Sequence, residues 1–146
     1  MQGLHYLELR PGAMSDAAVT LAWRNDKITR ASREDARFVN VHEHIEWLSK
    51  RIEHNTLWIA TLIGEPVGQI TLDGDDEIGW IVGPQWRQAG IGRTMLRMAH
   101  EKWPSRIKAR VMYGNDASMA LTRVAGYRET HRHRGFIFYE YKNDSA

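Results

Sequence analysis

The chain contains no cysteine, few prolines and no long apolar run, and each absence closes a class of explanation. Without Cys there is no disulfide framework and no thiolate metal site, which fits a reducing compartment. No stretch approaches the ~20 apolar residues that cross a bilayer. The opening Met1-Gln2-Gly3-Leu4 lacks the basic-then-apolar pattern of a signal peptide. A cytoplasmic protein with no membrane partner is expected. Charge of one sign is scarce too: 20 Lys+Arg stand against 18 Asp+Glu, a net of +2. Nucleic-acid binding asks for a basic face, so no nucleic-acid partner is expected, whereas a small polyanionic ligand is compatible. A length of 146 residues supports one core, and residues 1–146 are expected to form a single domain.

The most informative segment present is Arg87-Gln88-Ala89-Gly90-Ile91-Gly92, which follows the apolar run 78–82 and opens an amphipathic stretch at Arg93. A strand that turns through glycines into a helix N-terminus aims unpaired backbone N–H groups at one spot. Glycine lets a ligand approach the backbone, and Arg87 and Arg93 add charge at the rim. The pattern is a seat for pyrophosphate. It is not a Walker loop, because no lysine follows Gly92. It is not a dinucleotide fingerprint either, because Met95 stands where the third glycine belongs.

Local patterning gives the remaining elements. Residues 4–9 alternate as a strand that Pro11-Gly12 ends. Ser15 is the expected N-cap of a helix ending near Trp23, with Leu21 and Ala22 inward. A polar segment without clear periodicity follows. Ile45, Leu48 and Ile52 mark one face of a helix over 41–52. Residues 57–63 and 66–72 form a hairpin around Gly64-Glu65, and 77–82 is the next strand. Ile91, Met95, Met98 and Ala99 line a helix that stops before Pro104, and 107–113 is a strand. Asn115 or Asp116 caps a short helix closed by Gly126, and 136–141 is an aromatic strand. The order β-α-α-β-β-β-α-β-α-β(-β) predicts an α/β (mixed α+β) fold, with helices on both faces of a mixed sheet.

The phosphate loop, the helix after it and the segment Asn115-Asp116-Ala117-Ser118 through Leu121 to Gly126-Tyr127 together resemble the GCN5-related N-acetyltransferase (GNAT) family. The resemblance implies acetyl-CoA as cofactor, with CoA as product. It implies a mostly antiparallel sheet in which strands 4 and 5 splay apart. The pyrophosphate would sit on the backbone of Gln88, Ala89, Gly90, Ile91, Gly92 and Arg93, where oriented amides favour an anion. Arg87 would support the loop or face phosphate. The pantetheine arm would pair with backbone near Ile81 and Val82, and Asn115, with Ser118 beside it, would bond the arm.

The implied reaction is direct attack of a primary amine on the thioester. The amine must lose a proton, and Glu77 is the candidate acceptor. Negative charge on the carbonyl oxygen would meet a backbone N–H near Val82. The chain departs from the family where many members carry a Tyr that protonates the departing thiolate: Thr122 stands there. Tyr113, Tyr127 and His131 are the substitutes on offer. The N-terminal half, through Trp23-Arg24-Asn25 and the His44-Ile45-Glu46-Trp47-Leu48 segment, resembles amino-sugar N-acetyltransferases of the pseudaminic acid pathway. By that likeness Arg24 and His44 contact the acceptor, Arg24 at a nucleotide diphosphate. Peptide N-termini, polyamines and aminoglycosides are the other acceptors, and a module that binds acetyl-CoA without turnover is the other class. The acidic turn Asp73, Asp75, Asp76 and Glu77 is the argument for a polycationic acceptor.

His131 and His133 alternate as strand residues do but lack a third ligand, so no metal is expected. Residues 128–134 are expected to form a solvated, positively charged turn. The aromatic strands near the C-terminus offer an edge that could pair across a homodimer.

Overall fold

The structure, a computed structural model, describes residues 6–103 and 107–141. Among these, the strands are β1 (Leu7–Pro11), β2 (Leu57–Leu62), β3 (Glu65–Leu72), β4 (Ile78–Val82), β5 (Ile107–Met112), β6 (Arg128–His133) and β7 (Phe136–Tyr141). The helices are α1 (Ala17–Asn25), α2 (Lys27–Ala31), α3 (Val41–Glu53), α4 (Ile91–Lys102) and α5 (Asp116–Val124). The expected first two strand residues, at 4 and 5, and the helix stop at Pro104 lie outside the described residues.

Side-chain alternation along β2 sets the layers. Leu57 and Ile59 pack on Leu48 of α3, while Ala60 joins Met95, Leu96 and Ala99 of α4. Helices therefore cover both faces, as period-two alternation requires of a strand buried on each side. Met95 and Leu96 are fully buried, which contributes roughly 1.5–3 kcal/mol each. Strands β1-β2-β3-β4 form one antiparallel sheet, and β5-β7-β6 a second. Strands β4 and β5 run parallel. Among the described residues they join only where Glu77 bridges Lys108, with the Lys108 N–H donating to the Asp76 carbonyl at 2.8 Å. Beyond that point they part, the splay the family resemblance implies.

Several local expectations change. Asp16, not Ser15, organises the start of α1: its carboxylate accepts from the Ala13 N–H and from both Arg10 terminal nitrogens at 2.8 Å. A carboxylate with a guanidinium in reach outcompetes a serine hydroxyl. Thr20 and Trp23 are the buried face of α1, and Ala22 is exposed. On α3 the buried pair is His44 and Leu48, while Ile45 is exposed, because His44 finds polar partners inside. The unassigned polar segment contains α2, capped by Asp26, which accepts from the N–H groups of Ile28 and Thr29 at 3.2 Å.

The first hairpin turns at Ile63 (φ 51°) and Gly64 (φ 79°), with Leu62 opposite Glu65, one residue earlier than expected. A bulge between Ala60 and Thr61 shifts the register and so the turn. Residues 128–133 are not a turn but β6, a fully exposed strand whose only turn residues are Arg134 and Gly135, both at positive φ. Charged residues suit an edge strand, and there they imitate a loop in sequence. The aromatic β7 has β5 on one side and β6 on the other, so its edges are already taken.

Candidate active site

The loop between β4 and α4 owes its shape to two backbone positions. Gln88 (φ 63°) and Gly90 (φ 81°) are left-handed, which lifts the chain into the first turn of α4. The Thr94 N–H is the first helical donor, reaching the Gly90 carbonyl at 3.1 Å. The N–H groups of Ile91, Gly92 and Arg93 precede it and have no acceptor within the helix. They form a donor set that fits a pyrophosphate, at the positive end of the helix. Gly92 serves a different end from ligand approach. A Cβ there would lie 3.1 Å from Leu121 Cδ2, so the glycine lets α5 close on the loop.

Arg87 turns away from this seat. Its Nη2 donates to Asp26 Oδ2 at 2.6 Å and to Thr29 Oγ1 at 3.2 Å, clamping the loop to the cap of α2. Of the two expected roles it takes loop support. Burial pushes the Asp26 carboxyl up, but Arg87 and the capping N–H groups outweigh it and hold the group below the usual carboxylate range.

The splay between β4 and β5 opens a cleft of about 140 Å³ lined by Trp80, Val111, Met112, Asn115 and Ser118. A second cleft of about 410 Å³ holds Arg24, Arg33, Arg37, Glu43, Glu77 and Phe136 on its walls. Ser32, Ile78, Gly79 and Arg110 line both, so the two adjoin. Glu77, on the wall of the larger cleft, has its Oε1 3.1 Å from the Nε of Arg110, which lines both. Asn115 caps α5 by accepting the Ser118 N–H at 3.2 Å, which leaves its amide donors for the cleft. Ile81 and Val82 pair with β3 on one side, and their other edge faces the splay.

Thr122 is fully buried, and its hydroxyl donates back to the Met119 carbonyl at 2.8 Å. It has no proton to offer the cleft. Among the substitutes, Tyr127 is buried against His100 Nε2 at 2.9 Å, and burial raises its hydroxyl above the ordinary phenol range. Tyr113 lies under Arg132, and His131 stacks on Phe138 at the exposed edge. None of the three lines either cleft.

On the acceptor side, Arg24 and His44 come together, but only Arg24 reaches the cleft. His44 is 1% exposed, so the expected direct contact with an acceptor gives way to a bond to Arg24: Nη1 lies 3.0 Å from His44 Nδ1. The guanidinium sits 4.4 Å over the Trp47 ring and makes no ion pair among the described residues. Burial, then the charges of Arg33 and Arg51 against that of Glu43, lowers its pKa to about 10, so it stays charged near neutrality. Of the acidic turn only Glu77 lines the cleft, where Glu34, Asp35 and Glu43 join it. Asp73 pairs with Arg51 at 2.6 Å, and Asp73, Asp75 and Asp76 do not line the cleft. Among the described residues no three His, Asp or Glu side chains gather as metal ligands.

Sequence reasoning missed Asp26, Thr20, Trp47 and Arg110. Asp26 had a legible signal, an Asp directly before a Lys-Ile-Thr-Arg stretch, but a five-residue helix has no periodicity to support it.

Comparison with known proteins gives one family. A model described as the acetyltransferase (GNAT) family matches residues 19–127. No curated protein sequence matches. Among solved structures, the yncA protein of Salmonella typhimurium with its cofactor acetyl-CoA superposes with a TM-score of 0.77 at 18% identity, covering 97% of this chain and 96% of that one. A ribosomal-protein-alanine N-acetyltransferase from Brucella melitensis gives 0.76 at 23%, covering 92% and 99%. A domain from Methanocaldococcus jannaschii gives 0.84 at 22%, covering 93% and 97%. At these identities the likeness is one of fold.

Proposed function

The chain belongs to the GNAT acetyltransferase family, and from that premise we propose that it moves the acetyl group of acetyl-CoA to a primary amine on an acceptor carrying an anionic group. A nucleotide-linked amino sugar, the acceptor of the acetyltransferases that the N-terminal half resembles, is such an acceptor. The observation that supports this reading is the pair of adjoining clefts: Arg24, charged and without an ion-pair partner among the described residues, lies on the wall of one, and the other lies in the splay between β4 and β5, beside Asn115 and Ser118. Of the acidic turn that argues for a polycationic acceptor, Asp73, Asp75 and Asp76 lie outside the cleft, and Glu77 is engaged by Arg110.

Bound acetyl-CoA supplies an acetyl group activated as a thioester. The backbone of Gln88, Ala89, Gly90, Ile91, Gly92 and Arg93 holds its pyrophosphate, and Arg87 braces that loop. The free edge at Ile81 and Val82, with Asn115 and Ser118 across the splay, orients the arm. Glu77 accepts the amine proton, directly or through water, on the carboxylate oxygen that Arg110 leaves open. A backbone N–H near Val82 meets the charge growing on the carbonyl oxygen. No side chain is needed to protonate the departing sulfur, since a thiol of pKa ~8.5 is a tolerable leaving group. Two adjoining clefts suit direct transfer with both substrates bound.

The test is free-thiol release from acetyl-CoA with UDP-amino sugars, short peptides, polyamines and aminoglycosides. Turnover confined to acceptors with a phosphate or carboxylate, lost in Arg24→Ala, supports the reading. Turnover on uncharged peptide N-termini or polyamines would overturn the anionic acceptor. Tight coenzyme binding without turnover on any of them would favour a non-catalytic module.

A further inference from the structure

The bonds around His44 fix its protonation state from two directions. Thr20 Oγ1 has one proton and gives it to the Asp16 carbonyl at 2.7 Å, so at the 2.8 Å contact with His44 Nε2 the ring must donate. Arg24 has only donors, so at 3.0 Å His44 Nδ1 must be a bare acceptor. Both arguments give a neutral ring protonated on Nε2. The chain of bonds then runs from the Arg24 guanidinium through His44 and Thr20 to the first turn of α1, which Asp16 ties to Arg10 at 2.8 Å. Trp47 stacks on the same imidazole at 5.4 Å and under the same guanidinium at 4.4 Å.

We infer that His44 is a positioning residue for acceptor binding: its unprotonated Nδ1 holds Arg24 on the cleft wall, and a proton on that nitrogen releases Arg24. This rests on the proposed role of Arg24 as the anion-binding group. A protonated ring would set an N–H against a guanidinium at 3.0 Å, two donors and two positive charges with no acceptor between them. The Ala17 carbonyl favours the protonated ring, but burial and Arg24 outweigh it. From α1 the ring faces Arg24, Thr20 and the Ala17 carbonyl, and the Asp16 carboxylate is already paired with Arg10. On its own helix stand Trp47, Glu43 and Arg51, with Glu43 engaged by Arg37. Arg33, on the loop after α2, adds another positive charge near Arg24. Burial first and Arg24 second lower the His44 pKa, so the ring is neutral at pH 7 and the release belongs to acid conditions.

The experiment has two arms. In the first, UDP-N-acetylglucosamine, which has no free amine and whose diphosphate charge is constant between about pH 5 and 7.5, is titrated into protein saturated with coenzyme A. Binding is read by calorimetry and by Trp fluorescence. The wild type is expected to lose about tenfold in affinity for each pH unit below the His44 midpoint, with coenzyme affinity unchanged. His44→Gln, which keeps one acceptor and one donor, should bind within a few-fold of wild type at pH 7.5 and show a flat profile. His44→Phe should bind weakly at every pH.

The second arm needs no acceptor. Ring ¹⁵N shifts should show Nδ1 bare and Nε2 protonated, and Arg24→Ala should raise the pH midpoint of His44. Full affinity in Arg24→Ala would overturn the proposed role of Arg24 without touching the tautomer. An unchanged His44 midpoint in Arg24→Ala, or a wild-type pH profile in His44→Gln, would overturn this inference and leave that role standing.

Discussion

Replacing Arg87 by Ala tests whether the phosphate seat depends on a contact 61 positions back in the chain. The lost interactions are a 2.6 Å charge-assisted bond to Asp26 and a 3.2 Å bond to Thr29. Hydrogen bonds to charged groups contribute about 1.5–3 kcal/mol when shielded, and exposed ion pairs about 0.2–1. With side chains 27% and 20% exposed, the pair belongs between these limits, at about 1–2 kcal/mol. Asp26 is not orphaned by the change, because it keeps the N–H groups of Ile28 and Thr29. Asp26→Asn preserves the cap and removes only the charge, which makes it the proper partner in a double-mutant cycle.

Urea unfolding of the four proteins at pH 7 should give a coupling energy of about 1–2 kcal/mol, equivalent to roughly 2–8 °C in Tm. Since the folded Asp26 carboxyl is held down, its stabilisation is present above the unfolded pKa of ~3.9 and is lost as pH falls through the folded value. The gap between wild type and Arg87→Ala should therefore be constant from about pH 5 to 8 and close below about pH 4. Coenzyme A affinity should fall about tenfold, because 1.4 kcal/mol spent on ordering the loop is a decade in binding. A coupling energy near zero, or unchanged coenzyme affinity, would refute the bracing argument.

Glu77→Gln should lower kcat by about 10²–10⁴ with coenzyme affinity intact; a loss under about fivefold would take Glu77 out of proton transfer. Thr122→Val should leave kcat within about twofold and cost at most ~1 kcal/mol, the worth of one internal hydroxyl bond; a tenfold fall in kcat would restore the hydroxyl as an acid. His100, stacked 3.7 Å from Tyr141, has its pKa lowered to about 4 by burial. Its unfolded value is ~6.5, so the neutral ring contributes its full stability above about pH 6.5 and loses up to about 3 kcal/mol as pH falls toward 4. His100→Gln should flatten that part of the Tm–pH curve, and an unaltered slope would show that other groups carry it.

What was legible in the sequence was what neighbours in the chain decide. The strand, glycine turn and helix over 78–102 follow from apolar periodicity and from glycine's tolerance of positive φ at 90. The Asn115 cap and the Gly126 closure of α5 are likewise local, and both stand. Because these segments carry the motifs that resemble the family, the family and its cofactor were readable early. The parts misread were those where a distant residue overrides the local preference. Asp16 displaced Ser15 because Arg10 sits within reach, and β6 imitated a loop because its pairing partner β7, rather than its own pattern, makes it a strand.

Function shows the same division. The sequence and its family resemblance nominated Arg24, Glu77 and the amides of 88–93 as candidates. Tertiary structure alone decided that Arg87 faces Asp26 rather than phosphate and that His44 is buried behind Arg24 rather than beside the acceptor. It also decided that Thr122 spends its hydroxyl on the helix carbonyls. Glycine turns and helix caps are energies of a few adjacent residues, so a one-dimensional string contains them. Burial and ion pairing depend on which atoms the folded chain brings within 3 Å, and only the packed sheet and helices determine that.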